Sequence, residues 1–148
     1  FTKVTNIVPG GAERYDSVFE GLKAVKDCDY VMIHDGARPM LNQDIIKRSW
    51  RGAVEYKACV AGMPVKDTIR VVADDGTAIS TPDRKSLWQI QTPQAFDTVL
   101  IKNAYKEAIE NNIQATDDAS MLELQGKDVY VVEGDYDNIK ITTKEDLK

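Results

Sequence analysis

The fold is decided by residues 30–63, YVMIHDGARPMLNQDIIKRSWRGAVEYKACVAGM, in which a helical pattern lies between two apolar runs. Residues 30–34 predict a buried strand, and residues 59–63 predict a second one. Residues 42–55 predict a helix with five apolar residues on one side: Ile45, Ile46, Trp50, Ala53 and Val54. A strand, a helix and a strand in this order are typical of a parallel α/β sheet with right-handed crossovers.

The flanking sequence extends this alternation in both directions. Residues 2–8 are rich in β-branched side chains and predict a strand, and residues 15–26 predict a helix whose cap is Asp16 or Ser17. Further elements are expected towards the carboxyl end: helices at 97–111 and 116–124, a strand at 129–132 and a helix capped by Thr143.

A β-hairpin interrupts the alternation in the middle of the chain. Residues 68–73 and 77–80 read as two strands joined by the turn Asp74-Asp75-Gly76, and residues 87–90 read as a strand that returns to the sheet. We therefore expect an arm at about residues 66–90, projecting from a single domain that spans residues 1–148. Exposed arms commonly pair with another subunit, so the pattern predicts a homodimer.

Composition excludes several classes of partner. The chain is 43% hydrophobic and 29% charged, as expected for a globular domain, and its formal net charge is −5 with scattered Lys and Arg residues. This distribution offers no basic face to a nucleic acid. The two cysteines lack metal-ligand spacing, and no apolar run or signal peptide suggests a membrane. We expect a reduced, cytoplasmic protein without nucleic acid or membrane partners.

Four polar clusters follow predicted strands: residues 10–14 with Ser17, 34–39, 116–118 and 138–142. Ligands of α/β sheets bind beyond the carboxyl ends of the strands, so we expect these clusters to converge there. Gly10 and Gly11 would let the backbone approach a flat base, although an ordinary turn is the alternative.

Asp35 and Lys140 are the candidate catalytic residues. Asp35 directly follows a buried strand, where a carboxylate can hold a ribose hydroxyl or Mg²⁺; the alternative is an Asp that caps the loop. Lys140 lies between two isoleucines and suits a phosphate, the alternative being a solvated lysine. Thr68 and Arg84 on the arm would suit an anionic substrate, the alternative being two ordinary surface residues. His34 is expected to be a packed residue without a role in chemistry.

Six segments of the chain resemble, in this order, those of the methylerythritol phosphate cytidylyltransferases of the non-mevalonate isoprenoid pathway. The segments are GGAERYDSV (10–18), VMIHDGARP (31–39), PVKDTI (64–69), TPDRKSLWQIQTPQAF (81–96), TDDAS (116–120) and DNIKITTKEDL (137–147). Related cytidylyltransferases share QTPQAF and NIKITT, whereas DRKSLWQIQTPQ and TDDAS are more particular to this family.

The resemblance implies a Rossmann-like, nucleotidyltransferase-like fold, a mostly parallel sheet flanked by helices, with the arm exchanged between two subunits. It implies CTP and a polyol phosphate as substrates and Mg²⁺ or another divalent cation as cofactor. Residue roles follow: Gly10, Gly11, Ala12 and Ser17 would hold the cytosine, Asp35 and Gly36 would lie by the ribose and the metal, and Lys140 would contact the phosphates. Thr68 and Arg84 would bind the methylerythritol phosphate in the other subunit's site, with Thr116 nearby.

The chain departs from this family at its beginning. The family starts with a Gly-rich LAAGxGxRM-type loop followed by a Lys, and no such stretch precedes Phe1. We therefore expect a chain truncated at its N-terminus, of lowered stability and nearly inactive alone, since losing one transition-state contact typically costs about 2.7–4 kcal/mol. Two alternatives stay open: a cytidylyltransferase for ribitol 5-phosphate or another alditol phosphate, and a non-catalytic dimerisation module of the same fold.

Overall fold

The structure is a computed structural model that describes residues 2–147, so residues 1 and 148 of the predicted domain lie outside the described part. The strands are β1 (Tyr30–Ile33), β2 (Ala58–Pro64), β3 (Val71–Val72), β4 (Ala78–Ser80), β5 (Trp88–Asp97) and β6 (Tyr130–Glu133). The helices are α1 (Arg14–Ala24), α2 (Gln43–Tyr56), α3 (Thr98–Glu110) and α4 (Asp118–Glu123), with 3₁₀ turns at Arg84–Ser86 and Lys144–Leu147. Within residues 2–147, no helix is long and apolar enough to cross a membrane.

The main sheet has the strand order β1-β5-β2-β6. β2 pairs in parallel with β6, and β5 runs antiparallel to both of its neighbours, β1 and β2. Three of the four strands therefore point in one direction, and helices flank the sheet. The predicted α/β class is confirmed, with β5 as the one inverted strand that makes the sheet mixed.

β5 is longer than the sequence predicted, because it continues from Trp88 to Asp97 instead of ending at Ile90. Its buried half contains Gln91, Thr92, Pro93 and Gln94, which are unusual residues for a central strand. The two glutamines are paired: Gln91 Nε2 donates to the Asp135 carbonyl at 2.7 Å, and Gln94 Nε2 donates to Asp117 Oδ2 at 2.8 Å. Pro93 falls where the register against β2 shifts, so it interrupts a stretch in which the ladder is already irregular.

The strand predicted at residues 2–8 is wrong. Residues 4–11 have no regular secondary structure, and Ile7 is 92% exposed. β-branched residues favour an extended backbone, but a strand also requires a neighbour that accepts and donates ladder hydrogen bonds. Nothing among residues 2–147 pairs with this segment.

Two predicted helix ends also differ from the structure. α1 begins after Glu13, and Asp16 acts inside the first turn, where its Oδ2 accepts from the Glu13 N–H at 3.0 Å. The residue before the helix is Glu13, so the cap is neither Asp16 nor Ser17. Asp16 stands at the third helical position, from which a side chain can reach back to the backbone before the helix. After Thr143 the described chain forms only a 3₁₀ turn, in which Asp146 accepts from the backbone N–H groups of Thr142 and Thr143.

The core lies on both faces of the sheet. The larger cluster, beneath α1, α3 and α4, is built around Phe96, Ile101, Tyr105 and Leu122. On the other face, α2 packs closely through small residues: a Cβ added to Gly52 would lie 2.7 Å from Cys59 Sγ. Of the five apolar residues predicted on one side of α2, Ile45 and Ala53 are buried, whereas Ile46, Trp50 and Val54 are 40–49% exposed.

The arm forms a separate two-stranded sheet of β3 and β4. Its ladder is shorter than the predicted hairpin, and Gly76 occupies the turn with φ +88°, a conformation that favours glycine. Four apolar side chains of the arm are 40–65% exposed: Ile69, Val71, Val72 and Ile79.

Candidate active site

A pocket of about 180 Å³ opens beyond the ends of β1 and β6, beside the middle of the antiparallel strand β5. Its polar lining comes from segments far apart in the sequence and includes Arg14, Asp35, Arg38, Thr92, Thr116 and Lys140. A larger depression of about 720 Å³ lies between residues 5–8 and α1, but among the described residues that line it Lys26 is the one charged side chain. The smaller pocket is therefore the candidate for chemistry.

Asp35 lies at the centre of this pocket between two cations. Its Oδ1 is 3.0 Å from Arg14 Nη2, its Oδ2 is 3.1 Å from Lys140 Nζ, and its side chain is 13% exposed. Burial alone would raise the pKa of Asp35, but the hydrogen bonds and charges of Lys140 and Arg14 together hold that pKa below its ordinary value. The structure thus brings together Asp35 and Lys140, the two candidates singled out from the sequence, and places the Asp35 carboxylate between Lys140 and Arg14.

Arg14 and Asp118 complete the ionic group; the sequence analysis placed both in polar clusters but gave neither a role of its own. Arg14 Nη1 and Nη2 bind Asp118 Oδ1 and Oδ2 at 3.1 and 2.8 Å, and the side chain of Asp118 is fully buried. The hydrogen bond to Asp118 raises the pKa of Arg14 further above its ordinary range. One signal in the sequence does mark Arg14: it is a cation in the first turn of a helix, where the helix dipole disfavours positive charge.

The loop after β1 is held by a short chain of hydrogen bonds. The Asp35 N–H donates to Thr92 Oγ1 at 3.0 Å, Thr92 Oγ1 is 2.9 Å from His34 Nδ1, and His34 Nε2 is 3.0 Å from the Arg38 carbonyl. In a neutral imidazole, this pattern requires the His34 proton on Nε2, so that Thr92 donates to Nδ1 and His34 donates to Arg38. His34 therefore shapes the loop that carries Asp35.

The loop that carries Lys140 is tied to the loop after β1. Arg38 Nη1 donates to the Asn138 carbonyl at 2.7 Å, and the Ile141 N–H donates to the Ala37 carbonyl at 2.8 Å. Asn138 is fully buried and donates to the Thr92 carbonyl at 2.9 Å. These contacts fix the backbone on either side of Lys140, whose side chain is still 42% exposed.

The glycine-rich loop packs against the first turn of α1. The Gly11 N–H donates to Ser17 Oγ at 3.0 Å, and a Cβ added to Gly11 would lie 2.2 Å from Asp16 Cβ. A Cβ on Gly10 would likewise lie 2.8 Å from Ser17 Oγ. Close approach to the helix explains both glycines. Gly10, Gly11, Ala12 and Ser17 adjoin Arg14 in the chain but are not part of the pocket lining.

Of the other predicted site residues, only some lie at the pocket. Thr116 lines the pocket, whereas Gly36, Thr68 and Arg84 do not. Thr68 is exposed on the arm, and Arg84 Nη1 donates to the Lys66 carbonyl at 2.7 Å. One chain therefore does not place the arm residues beside Asp35.

Two carboxylates line the pocket, Asp35 and Asp117. Asp117 already accepts hydrogen bonds from Gln94 and from the Ser120 N–H, so Asp35 is the better candidate for a metal ligand. Within residues 2–147, no group of three or more His, Cys, Asp or Glu side chains is arranged to hold a metal ion. Mg²⁺ often binds one or two protein carboxylates, keeps several waters and takes its remaining ligands from substrate phosphates. The residues present fit such a shared magnesium, and they do not fit a metal held by the protein alone.

Comparison with known proteins gives one consistent result. The family model of 2-C-methyl-D-erythritol 4-phosphate cytidylyltransferase matches residues 2–148. Curated proteins of that name from Lachnospira eligens and Alkaliphilus oremlandii are 52% and 53% identical to this chain over 100% and 99% of its length. The chain spans 66% and 63% of these two relatives.

Solved structures agree with the sequence comparison. The crystal structure of 4-diphosphocytidyl-2C-methyl-D-erythritol synthase from Anaerococcus prevotii is 38% identical, has a TM-score of 0.88 and covers 95% of this chain and 65% of its own. The 2-C-methyl-D-erythritol 4-phosphate cytidylyltransferase of Thermus thermophilus is 33% identical, with a TM-score of 0.87, and covers 95% of this chain and 68% of its own. Sequence and fold thus lead to the same conclusion: the chain belongs to the 2-C-methyl-D-erythritol 4-phosphate cytidylyltransferase family.

Proposed function

We propose that the complete gene product transfers a cytidylyl group from CTP to 2-C-methyl-D-erythritol 4-phosphate and releases pyrophosphate, in isoprenoid precursor biosynthesis. The observation that carries this proposal is Asp35, held between Arg14 and Lys140 at the carboxyl edge of the sheet in a chain of this family. The names of the relatives supply the substrates.

Lys140 is the proposed phosphate contact. It is bound to Asp35 at 3.1 Å but is 42% exposed, so its ammonium group can leave the carboxylate for an incoming phosphate. Arg38 adds a second cation, and its Nε is buried without a hydrogen-bond partner among residues 2–147. Phosphoryl and nucleotidyl transfer depend on positioning and on stabilising negative charge, which is the role that such cations can serve.

Asp35 is the proposed magnesium ligand and lies beside the proposed ribose position, with Gly36 next to it. Once Lys140 moves to the phosphates, Asp35 Oδ2 becomes free to accept a cation or a hydroxyl. A bound magnesium would neutralise charge on the phosphates and orient them. The cytosine is assigned to the exposed loop of Gly10, Gly11 and Ala12 together with the half-buried Ser17 of α1, because residues without large side chains leave the backbone accessible to a flat ring.

Thr68 and Arg84 are the proposed contacts to the methylerythritol phosphate, with Thr116 nearby. Since neither arm residue lines the pocket of its own chain, we assign them to the pocket of a second copy, which requires a homodimer. The exposed apolar side chains of the arm support this assignment, because water disfavours such a surface on an isolated hairpin.

The test is pyrophosphate release by the complete gene product with CTP and Mg²⁺, comparing 2-C-methyl-D-erythritol 4-phosphate with ribitol 5-phosphate. We expect a strong preference for the former. We also expect Lys140→Ala to lower kcat/KM by about 100-fold or more, whereas Lys106→Ala, an exposed lysine of α3, should not change it.

Each other outcome has a defined meaning. A preference for ribitol 5-phosphate would leave the proposed nucleotide site as it is and would replace the proposed acceptor by ribitol 5-phosphate. Release of no pyrophosphate with either acceptor would contradict the proposed activity and favour a non-catalytic dimerisation module.

A further inference from the structure

A buried carboxylate and a buried hydroxyl lie next to Arg14, at a different edge of its guanidinium group from Asp35. Asp118 and Tyr105 are both fully buried, and the Tyr105 hydroxyl donates to Asp118 Oδ1. Asp118 also accepts from Arg14 Nη1 and Nη2, at 3.1 and 2.8 Å. Tyr105 belongs to the main core cluster, so this pair connects the pocket to the rigid interior of the domain.

Stability alone does not account for this arrangement. Asp118 loses its hydration completely and Arg14, whose side chain is 35% exposed, loses part of its own. Apolar residues of similar volume often stabilise a core as well as a buried charge does, or better. Arg14 moreover stands in the first turn of α1, where the helix dipole disfavours a cation. What a bidentate pair does provide is a fixed position and plane for the guanidinium group.

The guanidinium group divides its donors between two carboxylates. Nη1 and Nη2 face Asp118, while Nε and Nη2 lie 3.1 and 3.0 Å from Asp35 Oδ1. The other oxygen of Asp35, Oδ2, is bound by Lys140, whose side chain is 42% exposed. One oxygen of Asp35 thus has a partner anchored in the core, and the other has a partner that can move.

We propose that Asp118 and Tyr105 are positioning residues that anchor Arg14 and, through it, hold Asp35 with Oδ2 directed at the incoming cation. This inference rests on the proposed function, in which Asp35 binds Mg²⁺ shared with CTP. It adds two residues that touch neither substrate nor metal and yet set the geometry of the metal ligand.

The charge on Asp118 gives the anchor a second effect. Because Arg14 is shared between two anions, its attraction for Asp35 is limited. If Asp118 is made neutral, Arg14 can pair with Asp35 alone and will compete with the metal. Asp118→Asn should therefore raise the magnesium concentration that gives half-maximal activity by about 10- to 100-fold, the usual range for residues that support a metal ligand.

The test compares Asp118→Asn and Tyr105→Phe with two matched controls in the complete gene product. Asp27→Asn makes the same change at an exposed position, and Tyr56→Phe removes a hydroxyl outside the core. Tyr105→Phe should shift the magnesium half-saturation in the same direction by roughly 2- to 10-fold, as expected for one lost hydrogen bond. The two control variants should have the same magnesium half-saturation as the parent. A variant that merely folds poorly would lose active enzyme without shifting this concentration.

A second readout does not depend on activity. The Arg14 Nε–Hε signal in ¹⁵N–¹H NMR spectra, identified by its loss in Arg14→Lys, should be sharp in the parent and in both controls. It should move to a different chemical shift in Asp118→Asn, because the guanidinium group then pairs with Asp35 alone. If the parent releases no pyrophosphate, the proposed function fails and the NMR signal decides the anchoring of Arg14.

If Asp118→Asn does not fold, Tyr105→Phe alone tests whether Arg14 is anchored, because this variant keeps the buried charge of Asp118 and the packed aromatic ring. An unchanged magnesium half-saturation together with an unchanged Arg14 signal in the folded variants would overturn the proposal.

Discussion

At the scale of single residues, the ionisation of Asp35 links the site to stability. Lys140 and Arg14 hold the pKa of Asp35 below its ordinary value of 3.8 despite its burial. A carboxyl group whose pKa is lower in the folded state stabilises that state above the unfolded pKa, and the stabilisation is lost as the pH falls through the folded pKa.

We therefore predict that Asp35→Asn is less stable than the parent at pH 7 and that the difference disappears in acid. The decrease should begin near pH 3.8, the ordinary value, and be complete below the folded pKa. Urea unfolding of both proteins from pH 7 downwards measures this difference. A difference that stays constant into strong acid would show that Asp35 is not stabilised by its two cations.

The two cysteines should differ in reactivity. Cys28 is exposed, whereas Cys59 is fully buried, and burial raises the pKa of its thiol to about 11. The thiolate is the reactive form, so Cys59 should stay unmodified at pH 8 while the protein is folded. Mass spectrometry after iodoacetamide treatment should find one modified cysteine in the native protein and two in urea. Equal labelling of Cys59 and Cys28 in the native protein would contradict the structure of the core beneath α2.

At the scale of elements, replacing two helical glycines by alanine should change the free energy of unfolding in opposite directions. Gly52 lies where α2 meets β2, and an added Cβ would be 2.7 Å from Cys59 Sγ and 3.0 Å from Val132 Cγ1. Gly21 lies inside α1, where an added Cβ meets nothing within 4 Å.

Gly52→Ala should lower the free energy of unfolding by about 1–3 kcal/mol, because the core cannot accept the extra methyl group without shifting. Gly21→Ala should raise it by roughly 0.5–1 kcal/mol, since alanine loses less backbone entropy in a helix. Urea denaturation of the two variants measures both effects, and Gly21→Ala serves as the control for the substitution itself. A destabilised Gly21→Ala would mean that α1 does not have the open surface seen here.

At the scale of the whole molecule, the arm determines the proposed assembly. Ile79 of the arm and Val99 of α3 are 65% and 66% exposed in one chain. If the arm is buried against a second copy, a charge at Ile79 must lose its hydration in the dimer, whereas a charge at Val99 stays in water.

We predict that Ile79→Asp shifts the complete gene product from dimer to monomer, while Val99→Asp leaves it dimeric. Sedimentation velocity at several concentrations makes this comparison. The monomer should also lose activity if Thr68 and Arg84 act in the other subunit's pocket. A monomeric parent, or an Ile79→Asp dimer as tight as the parent, would contradict the exchanged arm.

The sequence by itself was sufficient to predict helices and strands that show a regular spacing of apolar residues. The periodic apolar residues predicted β1, α2 and β2 to within one or two residues, and a polar residue directly after a strand marked Asp35. Such signals are local because each helix or strand places its side chains with a fixed period. The same rule failed at residues 2–8, where an extended pattern has no partner strand among the described residues.

The tertiary structure alone decided which distant residues meet. β5 enters the sheet between β1 and β2 although Gln91, Pro93 and Gln94 argue against a strand, because its glutamines find partners 44 and 23 residues away. Arg14 and Asp118 are 104 residues apart, and no local period connects them. A buried polar group is stable only when its partner is present, so its place in the fold becomes visible only once the chain has brought that partner to it.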